Sequence, residues 1–301
     1  MKDLKLFLDL IRIKQPIGIM LLFWPCLWGL TLGNDFSNND FKYLTFIAYF
    51  FLGSILMRSA GCIVNDILDR KYDILVDRTK NRPIASGKIS TKSGLIYVII
   101  LCFMAFLILI QFNLTTILLG LASMPFAFSY PLMKRYTYWP QLFLGFTFNY
   151  GLIMAWFSIN SEFSYIPIIF YFGAIFWTLA YDTIYGFQDI KDDEIIGVKS
   201  TSIKFKKNPK LFIFLCYLIF ILIQVISGVL MEFNHYYFIG IIVIALHLLI
   251  FQTLKLDVSN TKMCLAKFKS NNFLGLLIFL NIHLYLKYLI LKFEKSINDK
   301  I

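Results

Sequence analysis

The chain has 301 residues, of which 58% are hydrophobic, 18% aromatic and only 16% charged. A soluble globular chain carries about a quarter charged residues, so this composition excludes an ordinary cytoplasmic globule and points to a polytopic membrane protein. The net charge of +11 does not indicate nucleic-acid binding, because the lysines and arginines are spread over short loops between apolar runs instead of forming one patch.

In chain order, the hydropathy pattern predicts nine spans, at approximately 16–33, 42–64, 93–112, 114–131, 138–157, 165–186, 210–232, 236–255 and 272–291, each near the ~20 residues that cross a bilayer. The expected fold class is therefore all-α: a nine-helix membrane bundle with cap loops, forming one domain over 1–301. The polar stretch Gln111–Thr115 reads as a hairpin turn between spans three and four.

Alternate loops are basic. Lys2, Lys5, Arg12 and Lys14 precede the first span, and Arg70 to Lys92 follow the second. Lys134 and Arg135 follow the fourth, Lys191 to Lys210 the sixth, and Lys255 to Lys269 the eighth. The remaining loops carry Asp35, Asp40, Glu162 and Glu232, with Lys42 as the basic exception. Lysine and arginine mark the cytoplasmic side, which predicts a cytoplasmic N-terminus. A composition rich in Ile, Phe, Lys and Asn, with a first span almost at the start and no Arg-rich leader, leads us to expect a bacterial cytoplasmic membrane. The five cysteines are scattered without a C-x-x-C pair, against a disulfide framework or zinc site.

Two acidic stretches break this pattern. The first holds Asn65, Asp66, Asp69, Asp73 and Asp77; the second holds Asp182, Asp189, Asp192 and Asp193. Carboxylates are costly beside lipid, so each stretch is a candidate functional site. Both fall on the predicted cytoplasmic face, which allows them to share one site. On a helix Asp66, Asp69 and Asp73 lie three and four positions apart and share a face, with Asp77 one turn further. Like charges so placed repel, and a divalent cation with oxygen ligands, Mg²⁺ where phosphate completes the shell, would compensate. Asn65 adds a neutral oxygen. Asp189 and Asp193 repeat the spacing, while Asp192 points elsewhere. Arg70, Arg78, Lys80, Arg82 and Lys199 interleave with the acids, and metal plus Arg/Lys is the recurring way to hold a diphosphate. Arg58, seven positions before Asn65, is placed to balance the acidic cluster. His235, His247 and His283 lack partners at ligand spacing, and Gln224, Gln252 and Asn281 read as interhelical hydrogen-bonding residues.

Residues Gly61 to Asp73, followed by Arg78-Thr79-Lys80-Asn81-Arg82-Pro83, resemble the first signature of the UbiA-type intramembrane prenyltransferases. Tyr181 to Tyr185, Asp189, Asp192-Asp193 and Gly197 to Thr201 resemble the second. Within that family, the run Tyr130-Pro131-x-x-Lys134-Arg135, the entry Lys14 to Gly18, and Trp24, Pro25 and Trp28 resemble the branch that prenylates 4-hydroxybenzoate in ubiquinone synthesis. Gln15 and Gly186 depart from the usual residues at those positions.

The resemblance implies transfer of a polyprenyl group from an allylic polyprenyl diphosphate to the ring carbon ortho to the hydroxyl of 4-hydroxybenzoate, with a tail that lies toward membrane lipid. It implies Mg²⁺ held by Asp69, Asp73, Asp189 and Asp193 with help from Asn65 and Asp66. Arg70, Arg78, Arg82 and Lys199 would serve the diphosphate, and Tyr130, Tyr181 and Tyr185 would face the developing cation. Arg135, or else Lys134, would take the acceptor's carboxylate. A different aromatic acceptor is the alternative within the family, and a cation or metabolite transporter the alternative outside it. Nothing in the sequence specifies an oligomer.

Overall fold

The protein is described here from a computed structural model. The structure describes residues 2–34, 40–160 and 162–298, with side chains for 4–34, 41–160 and 162–286. Asp35 lies outside the described residues, and of Lys2 and Asp40 only the backbone is described.

The described residues form helices and connecting turns. They are α1 (Lys2–Leu10), α2 (Ile17–Gly33), α3 (Asp40–Asp73), α4 (Thr91–Leu109), α5 (Leu114–Ser129), α6 (Met133–Tyr136) and α7 (Pro140–Ile159). They continue with α8 (Ile166–Gly186), α9 (Ile190–Ile196), α10 (Thr201–Lys204), α11 (Pro209–Leu230), α12 (His235–Ala245) and α13 (Thr261–Asn298). A π-helical turn, Leu246–Leu254, extends α12. Eight of the helical segments are long and apolar enough to cross a membrane. The ninth expected span is α2, which has 17 residues and so reaches only about 26 Å. It is shorter than the ~30 Å hydrocarbon core and is enclosed by α3, α7 and α13.

Local sequence explains where helices begin and end. Ser90 caps α4 by accepting from the Ser93 amide at 3.0 Å, and Asn113 caps α5 by accepting from the Thr116 amide at 2.9 Å. Pro140 and Pro209 open α7 and α11, where a missing N–H costs nothing. Gly197 ends α9 with φ +80°, a left-handed conformation that favours glycine.

Two helices differ from the hydropathy reading. The α3 helix runs to Asp73, and its 34 residues span about 51 Å, so its last turns rise above the hydrocarbon and carry the first acidic stretch. It stops there, leaving Asp77 in the following turn, exposed and paired with Lys80. The α13 helix starts at Thr261, earlier than expected, because its polar first turns continue the same helix above the membrane.

The core is aromatic and tight. Trp28 and Trp177 are fully buried with ring centroids 5.0 Å apart, and Trp177 donates to Asn271 at 2.8 Å. As expected, the side-chain amides bridge helices: Gln252 accepts from Tyr217, Gln224 from Tyr237, and half-buried Asn281 donates to the Tyr237 carbonyl. Small residues set the closest approaches, as in other membrane bundles. A methyl at Gly29 would run into the Leu152 carbonyl of α7, and one at Gly145 would meet the Ile175 carbonyl of α8 at 3.0 Å.

Gly29→Ala is therefore expected to destabilise the bundle by about 1–3 kcal/mol by forcing α2 off α7. At Gly53 an added methyl meets nothing within 4 Å, so Gly53→Ala should leave the thermal unfolding midpoint in detergent unchanged.

Candidate active site

The two acidic stretches meet in one cavity of about 1110 Å³ at the end of the bundle where the basic loops gather. On α3 its wall is a single helical stripe, Arg58, Cys62, Asn65, Asp69, Tyr72 and Asp73. On α8 the matching stripe is Tyr181, Asp182, Tyr185 and Gly186, continued by Asp189 and, from α9, Asp193. Arg12, Arg78, Arg82, Tyr130, Lys134 and Lys199 also reach the wall. Asp66 lies on the shoulder of the α3 stripe and does not line the cavity; it is 1% exposed and paired with Arg12 and Arg82.

Ion pairs tie the surrounding segments to these acids. Arg82 spans Asp66 at 3.3 Å and Asp73 at 2.9 Å. Lys134 holds Asp69, and Arg78 holds Asp189 while donating to the Tyr185 hydroxyl at 2.8 Å. The Arg12 pair was not anticipated as part of the site. Its backbone is left-handed, φ +56°, which is uncommon for a side-chain-bearing residue and is held by the contact with Asp66. Around the rim, the Lys199 amide donates to the Lys134 carbonyl at 2.8 Å, and the Thr201 amide donates to Gln141 at 3.0 Å. These bonds lock the second signature's loop against the α6–α7 turn.

Three expected contacts fall elsewhere. Arg70 is exposed and off the cavity wall, because it follows Asp69 on the next helical position, roughly 100° round α3. Arg135 sits behind α3: it donates to the Leu68 carbonyl at 2.6 Å, lies 3.8 Å from Asp69, and stacks on Tyr72 at 5.4 Å. One terminal nitrogen is engaged there, Nε is buried without a hydrogen-bond partner, and the residue does not line the cavity. Lys199 lines the wall, but its ammonium donates to the Tyr136 carbonyl at 3.2 Å.

Arg58 differs from expectation in the other direction. It forms no ion pair with the acidic cluster among the described residues. Two helical turns below Asn65, about 10 Å, it packs 5.4 Å from the Phe148 ring. Gly18 on α2 leaves the notch for it: a methyl there would stand 2.5 Å from Nε and 2.9 Å from a terminal nitrogen. Arg58, Tyr130 and Phe148 also line a second cavity, about 350 Å³ and mostly apolar, between α3, α4, α5 and α7. The repeat of Arg58, Cys62, Asn65 and Asp69 on one helix face was the signal in the sequence.

The donor set suits a hard cation. Asp69 Oδ1 is buried and accepts no hydrogen bond. Burial and the neighbouring Asp189 push the Asp193 carboxyl up to about 6, and burial raises Asp189 against the opposing pull of Arg78. Carboxylates held in this way favour a bound positive charge. Among the described residues no three Asp, Glu, His or Cys side chains converge to hold a metal by themselves, so any metal would share its shell with substrate oxygens.

Residues 22–282 match the UbiA prenyltransferase family. The chain is similar to the mitochondrial 4-hydroxybenzoate polyprenyltransferase of Drosophila melanogaster, 38% identical over 279 residues, which cover 92% of this chain and 70% of the relative. It is likewise 38% identical to the 4-hydroxybenzoate octaprenyltransferase of Psychromonas ingrahamii, covering 92% and 95% of the two chains. In fold it is similar to an Aeropyrum pernix UbiA homologue, with TM-score 0.70, 19% identity and coverage of 91% and 98%. An Archaeoglobus fulgidus UbiA homologue bound to GPP and Mg²⁺ gives TM-score 0.65, 17% identity and coverage of 91% and 99%. With two aspartate stretches meeting in one cavity and a family match across most of its length, the chain belongs to the UbiA prenyltransferase family.

Proposed function

We propose that this protein transfers a polyprenyl group from an allylic polyprenyl diphosphate to the ring carbon ortho to the hydroxyl of 4-hydroxybenzoate, in ubiquinone synthesis, as one Mg²⁺-dependent membrane unit. The carrying observation is that a cavity with acids and bases at its mouth meets an apolar cavity at Arg58, Tyr130 and Phe148. A substrate with a diphosphate head and an isoprenoid tail matches that division. The curated relatives' names support the aromatic acceptor. The cytoplasmic membrane, with the N-terminus on the cytoplasmic side, is part of the proposal and rests on the basic loops.

Asn65, Asp69, Asp73, Asp189 and Asp193 would hold Mg²⁺. When bound, the metal supplies positive charge that stabilises the departing diphosphate. Arg78, Arg82 and Lys134 neutralise carboxylates in the structure as described; substrate binding turns them toward phosphate oxygens. Tyr185 orients Arg78 through its hydroxyl. The aromatic faces of Tyr130 and Phe148, with the apolar wall beneath, keep water from the allylic carbon and favour its positive charge. Arg58 takes the acceptor's carboxylate, because it faces the cavity unpaired while Arg135 is engaged behind α3. The tail lies in the apolar cavity.

Membranes containing the protein, supplied with a labelled prenyl diphosphate, Mg²⁺ and a panel of aromatic acids, should yield prenylated 4-hydroxybenzoate. Product from another acid and none from this one would overturn the acceptor assignment. Chelation of divalent cations should stop turnover and added Mg²⁺ restore it, and Asp69→Ala or Asp189→Ala should lower kcat by about 100-fold or more.

Loss of the charge-assisted contact in Arg58→Ala should raise KM for the aromatic acid about 10–100-fold with little change in KM for the diphosphate. Arg135→Ala should instead lower stability, read as the thermal midpoint, and change the acceptor KM less.

A further inference from the structure

Asp182 stands apart from the other acids of the two stretches. Asp66, Asp69, Asp73, Asp77 and Asp189 each hold an ion pair. The Asp182 carboxylate holds none and makes no hydrogen bond among the described residues, yet it lines the larger cavity. Asp192 and Asp193 are also unpaired, but both lie on α9 beyond the end of α8, Asp193 beside Asp189 at the mouth.

The position of Asp182 is set by helix periodicity. It lies on α8 four residues, about 6 Å, before the helix ends at Gly186, with Asp189 three residues beyond that end. Arg58 lies seven residues, about 10 Å, before Asn65 on α3, and lines the same cavity. The charge that acts on Asp182 is Arg58, and Tyr130 lies within electrostatic reach of both. The cavity therefore has two layers: acids paired with bases at the mouth, and Arg58, Asp182 and Tyr130 beneath. The lower layer adjoins the apolar cavity that suits the tail.

An aromatic substitution must pass the ring proton to an acceptor; with the diphosphate held at the mouth, the side chains of the lower layer are the ones beside the ring. Among the described residues of the cavity wall there is no histidine. The guanidinium of Arg58 stays protonated, and tyrosine phenols, with an ordinary pKa near 10, are poor proton acceptors while neutral. Asp182 is the carboxylate left unengaged at this depth.

We infer that Asp182 is a catalytic residue, the general base that removes the ring proton of the aromatic acceptor. The inference rests on the aromatic-prenylation reading above. The allylic C–O bond breaks and its electron pair leaves with the diphosphate. A π pair of the ring forms the new C–C bond to the prenyl carbon. The C–H bond at that ring carbon then breaks, its electrons restore aromaticity, and the proton passes to an Asp182 carboxylate oxygen and on to water.

The test uses the full chain in membranes with Mg²⁺, a prenyl diphosphate, and 4-hydroxybenzoate either protiated or deuterated at both positions ortho to the hydroxyl. The unmodified protein should show no isotope effect on kcat, since ionisation of the allylic C–O bond precedes a fast proton loss. Asp182→Asn should lower kcat by about 100–10,000-fold with unchanged KM for the diphosphate. Asp182→Glu keeps a carboxylate and should recover at least a tenth of the rate. Proton loss should become slow in whichever variant turns over, giving a ring-deuterium isotope effect well above unity. Asp182→Asn at full rate, a slowed variant without an isotope effect, or Asp182→Glu as inactive as Asp182→Asn while both still bind the diphosphate would each overturn the assignment. Failure of the unmodified protein to prenylate any aromatic acid would instead overturn the reading on which it rests.

Discussion

Carboxylates at the edge of a membrane must be neutralised, and the architecture around the cavity follows from how this chain does so. Asp66 and Asp69 are each 1% exposed and Asp73 is 7% exposed, where an unpaired charge would be expensive. Each is met by a base from a different segment. Arg12 comes from the turn between α1 and α2, Arg82 from the loop after α3, and Lys134 from α6. Arg78 makes the same link to Asp189 after α8. The pairs therefore fasten the cap segments to the helix ends. Because such pairs roughly break even in free energy, their worth lies in placing the bases around the cavity mouth, where a phosphate can compete for them.

Helix length and periodicity then build the site's depth. The α3 helix is too long for the hydrocarbon core, so one continuous helix carries Arg58 deep, Asn65 and Asp69 between, and Asp73 at the rim. The α8 helix repeats the arrangement with Asp182 deep and Tyr185 above it, and Asp189 follows its end. Two helices facing each other across one cavity thus give a charged upper layer and a lower layer that opens onto apolar space. The Gly18 notch on α2 makes room for the Arg58 head, which would otherwise be displaced from the junction between the cavities.

Much of this was legible in the sequence. Hydropathy located the spans to within a few residues at most ends, and the polar amides of Gln224, Gln252 and Asn281 form the interhelical bonds expected of them. The motif residues that share a helix face with Asn65 and Asp69 do reach the cavity. Asp66 and Arg70 do not line the cavity because adjacency in a motif differs from adjacency on a helix: Asp66 sits at the edge of the stripe, turned to Arg12 and Arg82, and Arg70 lies about 100° round from Asp69. Arg135 is drawn off the cavity wall by Leu68 and Tyr72, which come from α3, far away in the chain. Arg12 escaped notice because its partner, Asp66, lies 54 positions along the chain.

The sequence by itself determined the membrane class, the helical spans, and the two acidic stretches with their interleaved bases, since hydropathy and helical spacing are local properties. The tertiary structure alone decided which acids face the cavity, which bases neutralise them, and that Arg58 and Asp182 share a layer beneath them. Those outcomes depend on how α2, α3, α7 and α8 pack, with close approaches at Gly29, Gly145 and Gly18 between residues distant in the chain.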